Sequence, residues 1–486
     1  MTTAVCILAV MPAVAEKTKI SGLYRYTLDN GLELFVAENH SAPLVYINLA
    51  VRAGGVAQTP DTTGVFHLYE HMMFEGDSEY PDGASMDRAV KDMGVTTQNA
   101  TTGINQVQYF FTIPSDLLEK GLEFWNSAIR EPLLLPEELE AEKKVVISEV
   151  EGNMSDPDRI YSSSLFRTMF PKYPWRLDPA GSPALVRKAT ATDLRAMLKK
   201  YYVPNNAALF VGGDIQADDV YRKVRDIYGS WQRAPDPWGV PNVPQLAEPF
   251  TRTEYRVMPS DKVSPQTATV NVIYRGPDAG FDPDSIYPAT ILDELFDDPE
   301  GVYKKTLLGV SELQIPDADY IGEGYTPYRE NGLVSFSATL QSPERELPAR
   351  AQLMTRIISE KFIPGIVADR NAFSRAQFRQ VRQTLKDYSI LRTETAEGLL
   401  AELQFWWANA SPDFYFGYLA NLKKVQKAQI DRYLETYIIG KYPLVTVNVN
   451  SAVYEKQKQA FAAAGFTEFN KETAYWWLDS SGENAK

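Results

Sequence analysis

Thr62-Thr63-Gly64-Val65-Phe66-His67-Leu68-Tyr69-Glu70-His71-Met72-Met73-Phe74 holds two of the chain's three histidines within five residues. The run is dense in apolar side chains and preceded by threonines, which predicts a buried helix opened by a Thr cap. On a helix, positions i, i+3 and i+4 share one face, so His67, Glu70 and His71 point the same way. Two imidazoles one turn apart suit a transition metal, zinc above all. A carboxylate between them that is not itself a ligand can take a proton from water at the metal. The order His-x-x-Glu-His inverts the common zinc-protease motif.

Zinc needs a third protein ligand and one open position. The remaining histidine, His40, reads as solvated in a polar loop, and the one cysteine, Cys6, lies in a leader-like start. A carboxylate is therefore expected. Pro136 to Glu151 reads as a long helix, with Pro at its first position and acids in its first turn. Glu142 and Glu149 are two turns apart and share a face with Val145 and Val146 between them, while Glu151 points elsewhere into solvent. A carboxylate on an apolar stripe needs a partner, and a metal is one. Spacing alone does not choose between Glu142 and Glu149.

At 486 residues the chain exceeds one compact core, so two or more domains are expected. A hydrophobic content of 44% excludes a mostly disordered chain. A net charge of −14 and a pI near 5.0 argue against nucleic acid or an anionic membrane as main partner. Residues 1–15 form a short apolar stretch ending Ala13-Val14-Ala15, a secretory-type cleavage pattern, though without the usual basic start. They predict a signal peptide and export to a bacterial periplasm. That stretch is too short to span a bilayer, and no other reads as a stable membrane anchor.

An internal duplication is legible. Ile47-Asn48-Leu49-Ala50-Val51-Arg52 echoes Val270-Asn271-Val272-Ile273-Tyr274-Arg275, each an alternating strand with Arg near its end. Tyr201 to Gly213 echoes Tyr437 to Val447 in the same way. The proline-rich segment 233–249 reads as a stiff linker between domains at 16–232 and 250–486. Leu28-Asp29-Asn30-Gly31-Leu32 is a hairpin signal. Strands and helices mix without a βαβ rhythm, which predicts α+β domains, each a mainly antiparallel sheet with helices packed on one face. Tyr287 to Phe296, where the repeat places the metal helix, has no histidine, so one metal site per chain is expected.

Taken together, His67-x-x-Glu70-His71, Glu149 beyond it with Glu142 seven before, Gln98-Asn99-Ala100-Thr101-Thr102 and Tyr201 to Ile215 resemble the insulinase/pitrilysin zinc peptidases. The nearest look-alike is the two-domain branch that includes mitochondrial processing peptidase. The resemblance covers essentially the whole chain after residue 15 and is strongest in the first half. It implies two similar domains facing each other across a chamber, with one Zn2+ held by His67, His71 and Glu149. Glu70 would be the general base, Glu142 an acid that orients the site, and Asn99 and Ala100 the edge-strand residues that pair with substrate backbone. The family's second domain carries an Arg and a Tyr seven apart. Val302 to Leu313 has neither in register, and Tyr325, Tyr328 and Arg329 are spaced wrongly. This implies a zinc endopeptidase subunit that joins a related subunit bearing the pair in a hetero-oligomer. The alternative is a non-catalytic assembly or scaffold subunit on the same fold. Phe405-Trp406-Trp407 and Trp476-Trp477 read as core or domain-interface residues, and Lys423, Lys424 and Lys427 as a solvated helix face.

Overall fold

The structure is a computed structural model that describes residues 16–18, 20–239 and 250–478. The signal-peptide reading over 1–15 and most of the expected linker lie outside the described residues. The first sheet has the order β1-β2-β3-β7-β4-β6-β5. Its strands are β1 (Glu16–Lys17), β2 (Leu23–Thr27), β3 (Glu33–Glu38), β4 (Leu44–Val51), β5 (Thr97–Thr102), β6 (Val107–Pro114) and β7 (Ala207–Gly213). Only β3 and β7 pair in parallel. The second sheet has the order β10-β11-β9-β12-β8-β13. Its strands are β8 (Glu254–Pro259), β9 (Thr267–Arg275), β10 (Ile321–Thr326), β11 (Leu333–Gln341), β12 (Leu444–Val449) and β13 (Thr467–Glu468). Here β8 runs parallel to both β12 and β13.

Strand for strand, β3-β7-β4-β6-β5 and β8-β12-β9-β11-β10 have the same pairing senses. The connections match as well. After β4 the chain makes helix Val65–Met72 before β5, and after β9 it makes helix Ile286–Asp297 before β10. Two helices of 18 residues, Pro136–Asn153 and Arg375–Arg392, follow β6 and β11 in the same way. The duplication is thus carried by topology. The Asn30-Gly31 signal does close the β2–β3 hairpin: Gly31 has φ 90°, and Leu28 N–H donates to the Leu32 carbonyl at 2.9 Å.

Each half's own helices cover one face of its sheet, as expected. Leu34, Val36, Ile47, Leu49, Leu209 and Val211 form the first of these cores with the flanking helices. The opposite face is apolar too, through Phe35, Ala37, Tyr46, Ala208 and Phe210, and the other half supplies its cover. Helix Ala396–Asn409 lies across β3, β7 and β4. In return, Ile160 and Leu165 of helix Pro157–Met169, with Phe170 just beyond it, pack on Met258, Ile273 and Leu444 of the second sheet.

The two duplicated arginines clasp these exchanged segments. Arg52 stacks 3.9 Å over the Trp407 ring and donates from Nε and Nη2 to the Trp407 carbonyl at 3.2 and 3.1 Å. Glu33 accepts from Trp407 Nε1 at 2.6 Å and from Arg25 at 2.9 Å. Arg275 lies 4.4 Å over the Phe170 ring and pairs with Asp278 at 3.0 Å. Cation–π contacts of this kind strengthen as water is excluded. Trp407 is therefore an interface residue, and Trp476 is another, its ring 6.1 Å from Trp175.

Elsewhere, the start of the expected linker folds back on the first half, where Trp238 Nε1 donates to Asn206 at 2.9 Å. Lys423 and Lys424 are exposed, while Lys427 pairs with Asp431 one turn on. His40 is exposed but holds Asp214 at 2.7 Å. No helix of the described residues is long and apolar enough to cross a membrane. Trp407→Ala removes the largest side chain of this clasp and should lower stability by about 3–5 kcal/mol, the usual loss for a buried Trp. Urea unfolding should show both halves losing stability together; an effect confined to the second half would contradict the exchange.

Candidate metal centre

Helix Val65–Met72 buries Val65, Phe66, Leu68, Tyr69 and Met72 and turns His67, Glu70 and His71 to the opposite side, half-buried. Its start differs from expectation: no Thr side chain caps it. The cap is Gly64 in the left-handed region, φ 84°, and its N–H donates to Gln58 Oε1 at 2.6 Å. Gly181, also at positive φ, approaches so closely that a Cβ there would sit 2.2 Å from Gly64 N. That close passage excludes a side chain and decides how the helix begins.

Helix Pro136–Asn153 packs against it and buries Leu139, Val146, Ile147 and Val150. Val145, expected on this stripe, is 49% exposed; the buried stripe runs one residue to its side. Glu142 and Glu149 do share a face, and both reach the histidines. Glu142 lies 2.9 Å from His71 Nδ1, while a Glu149 oxygen lies 3.6 Å from His67 Nε2 and 3.7 Å from His71 Nε2. One donor atom from each of His67, His71 and Glu149 falls within 4.8 Å of the others, close enough to hold one metal ion. Two imidazole nitrogens and a carboxylate oxygen form a donor set that fits zinc. Glu142 stands outside the trio, at the far nitrogen of His71. Glu151 is exposed.

Burial holds the His67 imidazole below its ordinary pKa, and neighbouring His71 adds to the effect, with Glu149 opposing. Burial pushes the Glu70 carboxyl up, partly countered by the Thr102 hydroxyl that donates to it. Thr102 ends β5, the outermost strand of the sheet, so the far side of β5 is unpaired among the described strands. Asn99 and Ala100 lie on that edge, Asn99 exposed, paired inward with Phe110 and Tyr109. The Thr102 contact escaped sequence reading: Gln98 to Thr102 stood out as a unit, but nothing local singles out its last residue.

The second-half residues considered as replacements are engaged in their own surroundings. Tyr325 and Thr290 hydroxyls bond at 2.8 Å, the Tyr328 ring packs 6.1 Å from Phe166, and burial holds the Arg329 guanidinium below its ordinary pKa, with Glu330 opposing.

Comparison with known proteins agrees with this architecture. The sequence pattern of the insulinases, Peptidase family M16, matches residues 34–179, and that of the M16 inactive domain matches 188–378. The chain belongs to the M16 peptidase family. Among curated relatives, a probable zinc protease PqqL of Haemophilus influenzae is 28% identical over 206 residues, 41% of this chain and 22% of that one. A zinc protease PqqE of Helicobacter pylori is 25% identical over 46% of this chain and 50% of its own. A probable mitochondrial-processing peptidase subunit beta of Arabidopsis thaliana is 24% identical over 54% and 48%. The matched region thus spans half or less of the length of each. Among solved structures, a protease from Helicobacter pylori superposes with TM-score 0.71 at 18% identity, covering 88% of this chain and 99% of that one. The first half of the periplasmic protease PqqL from Escherichia coli gives 0.73 at 17%, covering 95% and 98%. These share the fold.

Gly181→Ala should displace the backbone that seats the metal helix. Alanine at a positive φ alone costs about 1 kcal/mol or more, and the clash with Gly64 adds to it. Urea unfolding of the variant should show the loss, and wild-type stability would contradict the close-passage account.

Proposed function

We propose that the chain is a zinc-dependent endopeptidase subunit in which His67, His71 and Glu149 hold one Zn2+ and Glu70 is the general base. The observation that carries this reading is the convergence of the two Nε2 atoms and Glu149, with Glu70 on the same helix face. Zinc bound there would polarise the substrate carbonyl and lower the pKa of water at the site to about 7. Glu142, accepting from His71 Nδ1, keeps the Nε2 lone pair turned to the cluster. Glu70, with its pKa raised by burial, is a better proton acceptor than a solvated carboxylate. Thr102 fixes its orientation.

An extended peptide can add as a further strand on the free edge of β5 along Asn99 and Ala100. Because Thr102 of that strand touches Glu70, such a peptide would run directly past the base. Periplasmic residence is part of the reading; it is supported by the apolar start of the chain and by the periplasmic PqqL of Escherichia coli among its structural relatives. Activity is proposed to need a related subunit that carries an Arg and a Tyr, since the second half lacks that pair in register.

The zinc ligands are tested by metal analysis. Wild type should hold about one zinc per chain; His67→Ala, His71→Ala and Glu149→Gln should lose it, and Glu151→Gln should keep it. Glu142→Gln should weaken retention by about 10- to 100-fold. If Glu151→Gln lost zinc and Glu149→Gln did not, the ligand assignment would be wrong.

Glu70→Gln cannot accept a proton, so peptide cleavage should fall about 10²- to 10⁴-fold while zinc stays bound. Substantial residual cleavage would remove Glu70 as base.

The isolated chain should cleave an unfolded peptide weakly, since one absent oxyanion donor costs about a hundredfold or more. A two-domain relative bearing the Arg and Tyr should restore the rate and co-elute with it. Full activity alone would sink the split-subunit reading, and zinc binding without cleavage in any mixture would favour the scaffold reading.

A further inference from the structure

The topological match between the halves assigns second-half counterparts to His67, Glu70, His71, Thr102 and Glu149; that of Glu142, Val381, lies outside the cavity they line. Ile47 and Val270 occupy equivalent rungs, Gln98-Phe111-Ile47-Val211-Val36 in one sheet and Ile321-Ala338-Val270-Val447-Val257 in the other. Thr290, Asp293 and Glu294 lie as far along the chain from Val270 as His67, Glu70 and His71 lie from Ile47. Tyr325 lies as far from Ile321 as Thr102 from Gln98. Glu149 and Tyr388 each fall at the fourteenth residue of helices 18 residues long. All five counterparts line one cavity of about 390 Å3. The place that gathers metal ligands in the first half is thus a hollow in the second.

Its chemistry is different. No imidazole faces it. Asp293, Glu294 and Glu402 contribute three carboxyls, and Arg392, exposed, is the one basic side chain lining it among the described residues. Phe405, Trp406 and Tyr418 give it aromatic walls. The Thr290 hydroxyl, bonded to the Tyr325 and Tyr418 hydroxyls at 2.8 and 3.0 Å, forms a polar wall. Glu402 Oε2 is buried and lacks a hydrogen-bond partner among the described residues. A buried acceptor without a donor is costly.

We propose that this cavity binds an organic cation, a guanidinium or primary ammonium group, carried by an Arg or Lys side chain of a peptide or by a free amine. Such a group supplies the donor that Glu402 lacks and a positive charge beside three carboxyls that face a single arginine. The aromatic walls favour it further, because ring faces attract cations where water is excluded. Burial pushes Asp293 and Glu402 up and Glu294 up to about 7; the Glu323 carboxyl hydrogen-bonded to Asp293 and the Arg392 charge beside Glu294 and Glu402 only partly counter this. Tyr388, Ile390 and Leu391, at 47%, 56% and 67% exposure near the end of the same helix, offer an apolar flank beside the opening. The proposal does not depend on the metal centre.

The test is calorimetric titration of the full chain with agmatine, with Nα-acetyl-arginine amide, and with the neutral isostere Nα-acetyl-citrulline amide, each with and without a chelator. Both arginine-type probes should bind saturably and the citrulline probe at least about tenfold more weakly, unchanged by chelation. Glu294→Gln and Glu402→Gln, checked for an unaltered thermal transition, should each weaken the arginine probes severalfold. Tighter binding of the acetylated amide identifies a peptide side chain as the source of the cation, and tighter binding of agmatine a free amine; both outcomes support the cavity. Equal binding of the citrulline probe, no saturable binding of either cation, or affinities untouched by both substitutions would overturn it. Because citrulline discrimination is read on the wild-type chain, the test stands even where a variant fails to fold.

Discussion

The first sheet is apolar on both faces and the second carries an apolar patch of Met258, Ile273, Leu333 and Leu444 on its outer face, while the helices of each half cover only one face of its own sheet. The uncovered face of the first, through Phe35, Tyr46 and Phe210, is closed by helix Ala396–Asn409, and the second sheet is closed in return by Pro157–Met169 and Phe170. Leaving such a face in water would forfeit about 25 cal/mol for each Å2 of apolar surface. The exchange therefore keeps the apolar outer surface of each sheet out of water. Arg52 over Trp407 and Arg275 over Phe170 hold the two crossings from equivalent strand ends. Burial and neighbouring arginines bring Arg52 down to about 10, with Glu33 opposing, so the clasp keeps its charge at neutral pH.

Covering both broad faces leaves the sheet edges for function. β5 and β10 end their sheets, and each carries a hydroxyl that reaches the helix beside it: Thr102 to Glu70 in one half, Tyr325 to Thr290 in the other. One scaffold thereby offers two equivalent stations beside an open strand edge. The first holds imidazoles and a carboxylate at metal-binding spacing. The second holds carboxyls and aromatic rings around a hollow. Duplicated architecture with divergent side chains is how a fold hosts two chemistries without changing its packing.

The metal helix was legible because its evidence is local. His67, Glu70 and His71 meet through helical spacing alone. Glu142 and Glu149 were legible as a pair for the same reason, but their division of labour was not. One reaches Nδ1 of His71 from the side and the other spans both Nε2 atoms, and that depends on the angle at which two helices cross. Val145 was misplaced because the buried stripe of Pro136–Asn153 is chosen by its neighbour and not by the apolar residues it happens to contain. The Thr cap failed for a related reason. Gly64 is dictated by the passage of Gly181, more than a hundred residues away along the chain.

By itself, then, the sequence determined the two-fold repeat, the α+β class, the helix that bears His67, Glu70 and His71, and the need for a carboxylate to complete them. Each of these follows from residue pattern alone, within a few turns of chain or, for the repeat, by likeness between separate segments. Tertiary structure alone decided which acid spans both imidazoles, that Thr102 restrains Glu70, that each half covers the other's sheet, and that the metal centre has a hollow counterpart at Thr290, Asp293 and Glu294. These depend on distances between segments remote in sequence. Such distances are set by which apolar faces must be buried against each other, a condition that only the assembled chain can satisfy.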